Sequence, residues 1–219
     1  MPSTTVHPAK SKGGSSQRSD GDGRAKILEA ALERFSSQGF DGTSLRDVAN
    51  TAGVMHQLVV YHFKTKEGLW RETIDDLMRR AYPDGIGRYV ESAAHATSGE
   101  DAAHALKGFW RDFAWFTARN PQLHRILTFD GRAETTRFDW LLETYVRPLY
   151  GLGLELMERA QAEGRMRAGE PGRLFYACIG LVTVTFVFDR QYNAMTTLQP
   201  FSDTDVEAVI GLAYDFLGV

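Results

Sequence analysis

Ala49, Gly53 and Val59 set a spacing that could serve recognition chemistry. Two short helices can cross closely across a tight turn only if the first carries a small residue, here Ala49. The turn needs a residue that tolerates a left-handed backbone, and Gly53 follows four positions later. The second helix must then return a branched apolar residue to the core, and Val59 comes six positions on. Leu45, Val48 and Phe63 complete the inward set. His56, Gln57, Val60 and Tyr61 are left facing outward, where side chains of these types meet base edges in a major groove.

No nucleophile–base set, glycine-rich phosphate loop or metal motif competes with this arrangement. His95, His104 and His124 lack the tight spacing of metal ligands, so neither a metal nor a cofactor is expected. The chain has 219 residues, 43% apolar and 24% charged, with a net charge of −3. A basic excess would accompany bulk affinity for nucleic acid; its absence means that any such site depends on local placement of charge. One cysteine, Cys178, allows no internal disulfide and fits a small core residue. The first twenty residues are polar, and the longest apolar run is too short to span a bilayer. The chain is expected to be soluble, cytoplasmic and free of membrane.

Helices must position these residues, and the fold class expected is all-α. Residues 1–20 hold almost nothing to bury and are expected to form a disordered arm. Lys10, Lys12 and Arg18 make that arm basic, either as a solvated tail or as an arm touching phosphates or a minor groove. From Arg24, apolar residues at Ile27, Leu28, Ala31, Leu32 and Phe35 follow a helical face that Gly39 ends. Thr43 or Ser44 caps a second helix through Thr51, a third runs from about Met55 to His62, and Thr65 caps a fourth. Tyr82-Pro83-Asp84-Gly85 ends or kinks the fourth. Further helices are expected over about 101–119, 122–129, 136–163 with a kink at Pro148, 171–193 and 203–217. Residues 179–188 have strand-like composition, but no partner strand is evident and a lone strand would leave its ladder unpaired, so a helix is expected there too.

The stretch Thr43-Ser44-Leu45-Arg46-Asp47-Val48-Ala49, followed by Ala52-Gly53-Val54 and by Tyr61-His62-Phe63-Lys64-Thr65-Lys66-Glu67-Gly68-Leu69, resembles the DNA-binding domain of the TetR (tetracycline repressor) family. The resemblance implies a DNA-binding domain over residues 21–81, with its helix-turn-helix at about 44–63, and a ligand-binding and dimerisation domain over 82–219. It implies that Thr43 and Ser44 hold phosphate at the start of helix 2 and that Arg46 reaches a guanine edge. His56 and Gln57 would read base edges, while Tyr61, His62 and Lys66 would contact phosphates. Packing remains open for His62, pairing with an acidic neighbour for Arg46, and a solvated helix start for Lys64 and Lys66. Met55 replaces the usual Ser or Thr cap, and Val60 stands where many members carry Tyr.

The resemblance further implies a repressor bound to palindromic operator DNA and released by a small-molecule effector. Aromatic residues crowd the C-terminal region, and core is the simplest reading of any one of them. A largely apolar effector cavity would draw on Trp110, Phe113, Phe116, Phe129, Trp140, Tyr145 and Phe175. His124 is a candidate polar group there, beside Arg125, Asp130 and Asn193. A homodimer is expected through the last two helices, with Leu174, Cys178, Leu181, Val182 and Thr185 on one face and Val206, Val209, Ile210, Ala213 and Leu217 on the other. The alternative classes are a helical enzyme or a helical adaptor that binds protein.

Overall fold

Ile27, Ala31 and Phe35 are fully or almost fully buried and form the stripe that the helical spacing demands. They belong to α1 (Ser15–Gln38), which Gly39 ends with φ 70°. The computed structural model describes residues 15–81, 86–131 and 134–219. Residues 15–20, expected to be disordered, therefore take helical backbone, because extending a nucleated helix adds one hydrogen bond for each residue fixed. The rest of the expected arm, Lys10 and Lys12 included, lies outside the described residues.

Ser44 caps α2 (Leu45–Ala52) in a reciprocal box with Asp47, and that hydrogen bonding holds the Asp47 carboxyl below its usual pKa. Gly53 closes α2 in a left-handed conformation, with φ 65°. After it come α3 (His56–Phe63) and α4 (Lys66–Ala81). At the start of α4 the Gly68 amide donates to Thr65 Oγ1 at 2.9 Å. Val48, Ala49, Val59, Phe63, Leu69, Trp70, Ile74 and Leu77 join the α1 stripe in one buried core.

The remainder comprises α5 (Gly87–His95), α6 (Gly99–Arg119), α7 (Pro121–Asp130), α8 (Thr136–Leu141), α9 (Arg147–Ala162), α10 (Pro171–Val187), α11 (Asp189–Met195) and α12 (Asp203–Leu217). No strand occurs among the described residues. The axis is α6, which packs against α5, α7, α9, α10 and α12. Its Leu106, Phe109 and Trp110 anchor the second core. At Gly153 the approach of α9 and α10 is so close that a Cβ would stand 2.5 Å from the Phe175 ring.

Two expected helices are interrupted. In the first, a π-helical turn at Leu142–Val146 separates α8 from α9, and the Arg147 amide reaches back to the Leu142 carbonyl. Pro148 sits in the first turn of α9. It has no amide proton to offer the carbonyl four residues back, so the irregularity falls one turn before the proline. In the second, the chain bends by 77° between α10 and α11. The strand-like segment 179–188 is helical through Val187, with Val182, Thr183 and Phe186 buried. Packing overrides β-propensity there.

The first core does not end with α4. Leu123 and Ile126 of α7 and Leu141 of α8 belong to it, with Trp140 and Tyr145 packed alongside. The Trp70 and Trp140 rings meet edge-on at 6.0 Å, and the Tyr145 hydroxyl donates to Asp75 of α4. Arg137 pairs with the almost fully buried Asp130 at 2.7 Å and lies 3.9 Å over the Phe40 ring. This ion pair joins the end of α7 to the start of α8 on top of the α1–α2 loop. Asp130→Asn should lower stability to urea by about 3–5 kcal/mol, because it leaves a buried guanidinium without its counter-charge. The double variant Asp130→Asn/Arg137→Met should recover most of that loss. A double variant as unstable as the single one would show that the pair contributes through packing, not charge.

Candidate nucleic-acid interface and effector cavity

The α2–Gly53–α3 unit buries Val48, Ala49, Val59 and Phe63 and turns a polar face outward. Arg46 and Gln57 are exposed and His56 is half-buried. Tyr61 is 64% exposed. All four sit on the two short helices or at their ends, where they can approach a duplex together. Met55 gives α3 no side-chain cap hydrogen bond, as its substitution for Ser or Thr leads one to expect. Its side chain and that of Val60 extend the same exposed face with apolar surface.

Two expected contacts change on inspection of the geometry. Thr43 is only 2% exposed, and its hydroxyl donates to the Gly39 carbonyl at 2.8 Å. That bond holds the α1–α2 loop, so the Thr43 side chain cannot reach a phosphate; Ser44 beside it is exposed. The Lys66 ammonium donates to the Phe40 carbonyl at 3.0 Å and sits 4.3 Å over the Phe40 ring. It fastens α4 to the same loop. The exposed cation at this end is Lys64, which donates to the Tyr61 carbonyl at 2.7 Å. His62 is half-buried, with its ring against those of Tyr61 and Phe63.

A cavity of about 390 Å³ opens between α4, α6, α7, the α8–α9 segment and α10. Phe113, Phe116, His124, Tyr145 and Phe175, all named from the sequence, line it. Trp110, Phe129 and Trp140 do not. Trp110 is fully buried in the core, where Phe109 and Phe175 pack on it. Phe129 is 46% exposed and covers Gly39, where a Cβ would stand 3.5 Å from its ring. Trp140 packs on Trp70 and under the Arg71 guanidinium. Sequence reasoning missed Ile74 and Met78 of α4, and Tyr150 and Tyr176. The first two are spaced i, i+4, but nothing local tells that their stripe meets a void as well as a core.

Of the expected polar groups only His124 lines the cavity. Arg125 pairs with Asp189 at 3.1 Å, Asp130 with Arg137, and Asn193 is exposed on α11. The His124 Nε2 lies 3.1 Å from Thr117 Oγ1. Burial lowers the imidazole pKa from 6.5 to about 4, so the ring is neutral near pH 7.

Residues 27–73, which contain this helix-turn-helix, match the family described as bacterial regulatory proteins, tetR family. Over that segment the chain is similar to the DNA-binding part of this family. The probable HTH-type transcriptional regulator YttP of Bacillus subtilis is 27% identical over 121 residues, 55% of this chain and 56% of that protein. The HTH-type transcriptional repressor KstR2 of Rhodococcus jostii is 29% identical over 102 residues, 47% of this chain and 46% of that one. The chain thus spans about half the length of these curated relatives. Among solved structures, the ketosteroid transcriptional regulator KstR2 of Mycobacterium tuberculosis shares the fold, with a TM-score of 0.66 over 89% of this chain and 93% of that chain at 18% identity. The shared fold therefore extends beyond the segment that carries the family match.

The buried His124 makes stability depend on pH. As pH falls below 6.5 the unfolded chain takes a proton at this ring before the folded chain does. Stability is intact above that pH and falls between about 6.5 and 4, by about 3 kcal/mol at most from this group. Urea midpoints measured near neutral pH and near pH 4.5 should show a larger acid loss in the wild type than in His124→Phe. Equal losses would mean that the ring is solvated in the folded chain.

Proposed function

We propose that the chain is a homodimeric transcriptional repressor that binds palindromic operator DNA and is released by a largely apolar small molecule held in the cavity. The observation that carries this reading is that α4 belongs to both sites. Its Leu69, Trp70 and Leu77 sit in the core beneath the helix-turn-helix, and its Ile74 and Met78 line the cavity. A ligand that prefers one placement of α4 must favour one placement of α3, and ligand and DNA then bias each other's binding reciprocally. In a dimer the two α3 helices must lie about 34–36 Å apart to enter successive major grooves, so a small tilt of α4 is enough to disturb the fit. A cytoplasmic protein would meet its operator directly.

The dimer surface is proposed on α10 and α12, on a different face from the one the sequence spacing suggests. Cys178, Val182, Val206, Ile210, Ala213 and Leu217 are spent on the chain's own core. Val184, Phe188 and Leu212 are exposed, and a Cβ on Gly180 or Gly211 would meet nothing within 4 Å. Those glycines leave room for a partner helix to approach closely. The surface is apolar in the manner of sites that bind protein.

DNA binding is tested by mobility shift and salt titration with the DNA upstream of the chain's own gene and with scrambled DNA. Gln57→Ala should cost about 1–3 kcal/mol on the operator, relax preference at one symmetric pair of positions and leave the salt dependence unchanged. Lys64→Ala should weaken binding to every sequence alike and lower the salt slope by about one per half-site. No shift with any upstream DNA would favour the adaptor reading. For the dimer, light scattering at micromolar concentration should find twice the chain mass in the wild type and the single-chain mass in Val184→Glu/Leu212→Glu, with operator binding lost. A double variant that stays dimeric would move the interface elsewhere.

A further inference from the structure

Thr117 of α6 and His124 of α7 face each other across the α6–α7 turn, and their hydrogen bonds fix where the imidazole proton lies. The Thr117 hydroxyl donates to the Phe113 carbonyl at 2.8 Å, which uses its one proton. His124 Nε2 stands 3.1 Å from the same oxygen, so the proton between them comes from the ring. A neutral imidazole has one proton, and Nδ1 is therefore left as a bare acceptor. It has no hydrogen-bond partner among the described residues, and His124 lines the cavity. The Phe113 ring, edge-on at 5.5 Å, keeps the imidazole upright.

The rest of the lining favours an uncharged guest. Among the described residues no Lys or Arg lines it, and the one carboxylate there, Asp112, is bound to Arg88 at 2.8 Å. A buried carboxylate ligand would find no counter-charge among the described lining residues and would set its lone pairs against that of Nδ1. A ketone or ether would offer Nδ1 no proton. A hydroxyl meets the requirement.

We propose that the effector is an uncharged, largely apolar molecule carrying a hydroxyl group that donates to His124 Nδ1. This rests on the reading of the cavity as the effector site. Thr117 is a positioning residue here, since it sets the tautomer without reaching the ligand.

The test uses one skeleton with three end groups: 4-cyclohexylcyclohexanol, its methyl ether, and 4-cyclohexylcyclohexanecarboxylate. Each is titrated calorimetrically into the full chain at neutral pH. The alcohol should bind about tenfold more tightly than the ether and the carboxylate, the usual return on one buried hydrogen bond. His124→Phe should bring alcohol and ether to within about threefold of each other, and His124→Asn, whose carbonyl falls near the Nδ1 position, should restore part of the preference. Thr117→Val, which removes the acceptor for Nε2–H, should reduce the ratio as well and serves if His124→Phe does not fold. A carboxylate as tight as the alcohol, a ratio that survives in both His124→Phe and Thr117→Val, or failure of all three compounds to bind would overturn the proposal. Operator affinity is read in parallel. Alcohol preference with unchanged DNA binding would uphold the ligand class and overturn the effector role, whereas release of DNA by the carboxylate alone would do the reverse.

Discussion

Helix α7 is wedged between the core of the helix-turn-helix and the cavity, and the arrangement of the molecule depends on that wedge. Leu123 and Ile126 close the core of the helix-turn-helix from below, while His124 and Thr128 line the cavity and Leu123 and Leu127 border both. A helix of ten residues can do both because successive residues of an α-helix project about 100° apart, so neighbours in sequence serve different faces. Burying Leu123 and Ile126 is worth about 1.5–3 kcal/mol each, enough to make the joint a packed interior and not a sliding surface. Asp130–Arg137 and Phe129 over Gly39 then pin the far end of α7 to the turn between α1 and α2.

The chain passes between the two halves at α4, but force can pass by a second route. A guest in the cavity touches α4 through Ile74 and Met78 and α7 through His124 and Leu127. Both helices press on the same core, α4 from within and α7 from outside. Close-packed interiors deform as units, so the two contacts do not act independently on α3.

The helix-turn-helix was legible in the sequence because its determinants are local. Ala49, Gly53 and Val59 act within a dozen residues, and Ser44 announces its box with Asp47 three positions on. The long-range facts were not legible. Thr43 and Lys66 occupy positions that suit phosphate contacts, yet both turn inward to carbonyls of the α1–α2 loop, which no spacing rule reports. The apolar stripes on α10 and α12 were found correctly but assigned to a partner chain, although most of their residues lie in the chain's own core. Periodicity finds a buried face without saying what buries it. The cavity was half legible for the same reason: aromatic residues mark the region, but Trp110 and Phe113, three apart on one helix, differ in whether a neighbour or a void lies beyond.

The shared core also sets an order of events during synthesis. The segment that carries the helix-turn-helix leaves the ribosome first, yet its hydrophobic interior lacks Leu123, Ile126 and Leu141 until those residues follow. At ~5–20 residues per second, the roughly 60 residues between the end of α4 and Leu141 take about 3–12 s to appear. Over that interval the nascent head exposes the apolar floor that α7 will cover, a natural landing place for a chaperone. For the same reason a fragment cut after α4 is not a portable module, and grafting it onto another C-terminal body requires a helix equivalent to α7 in the new host.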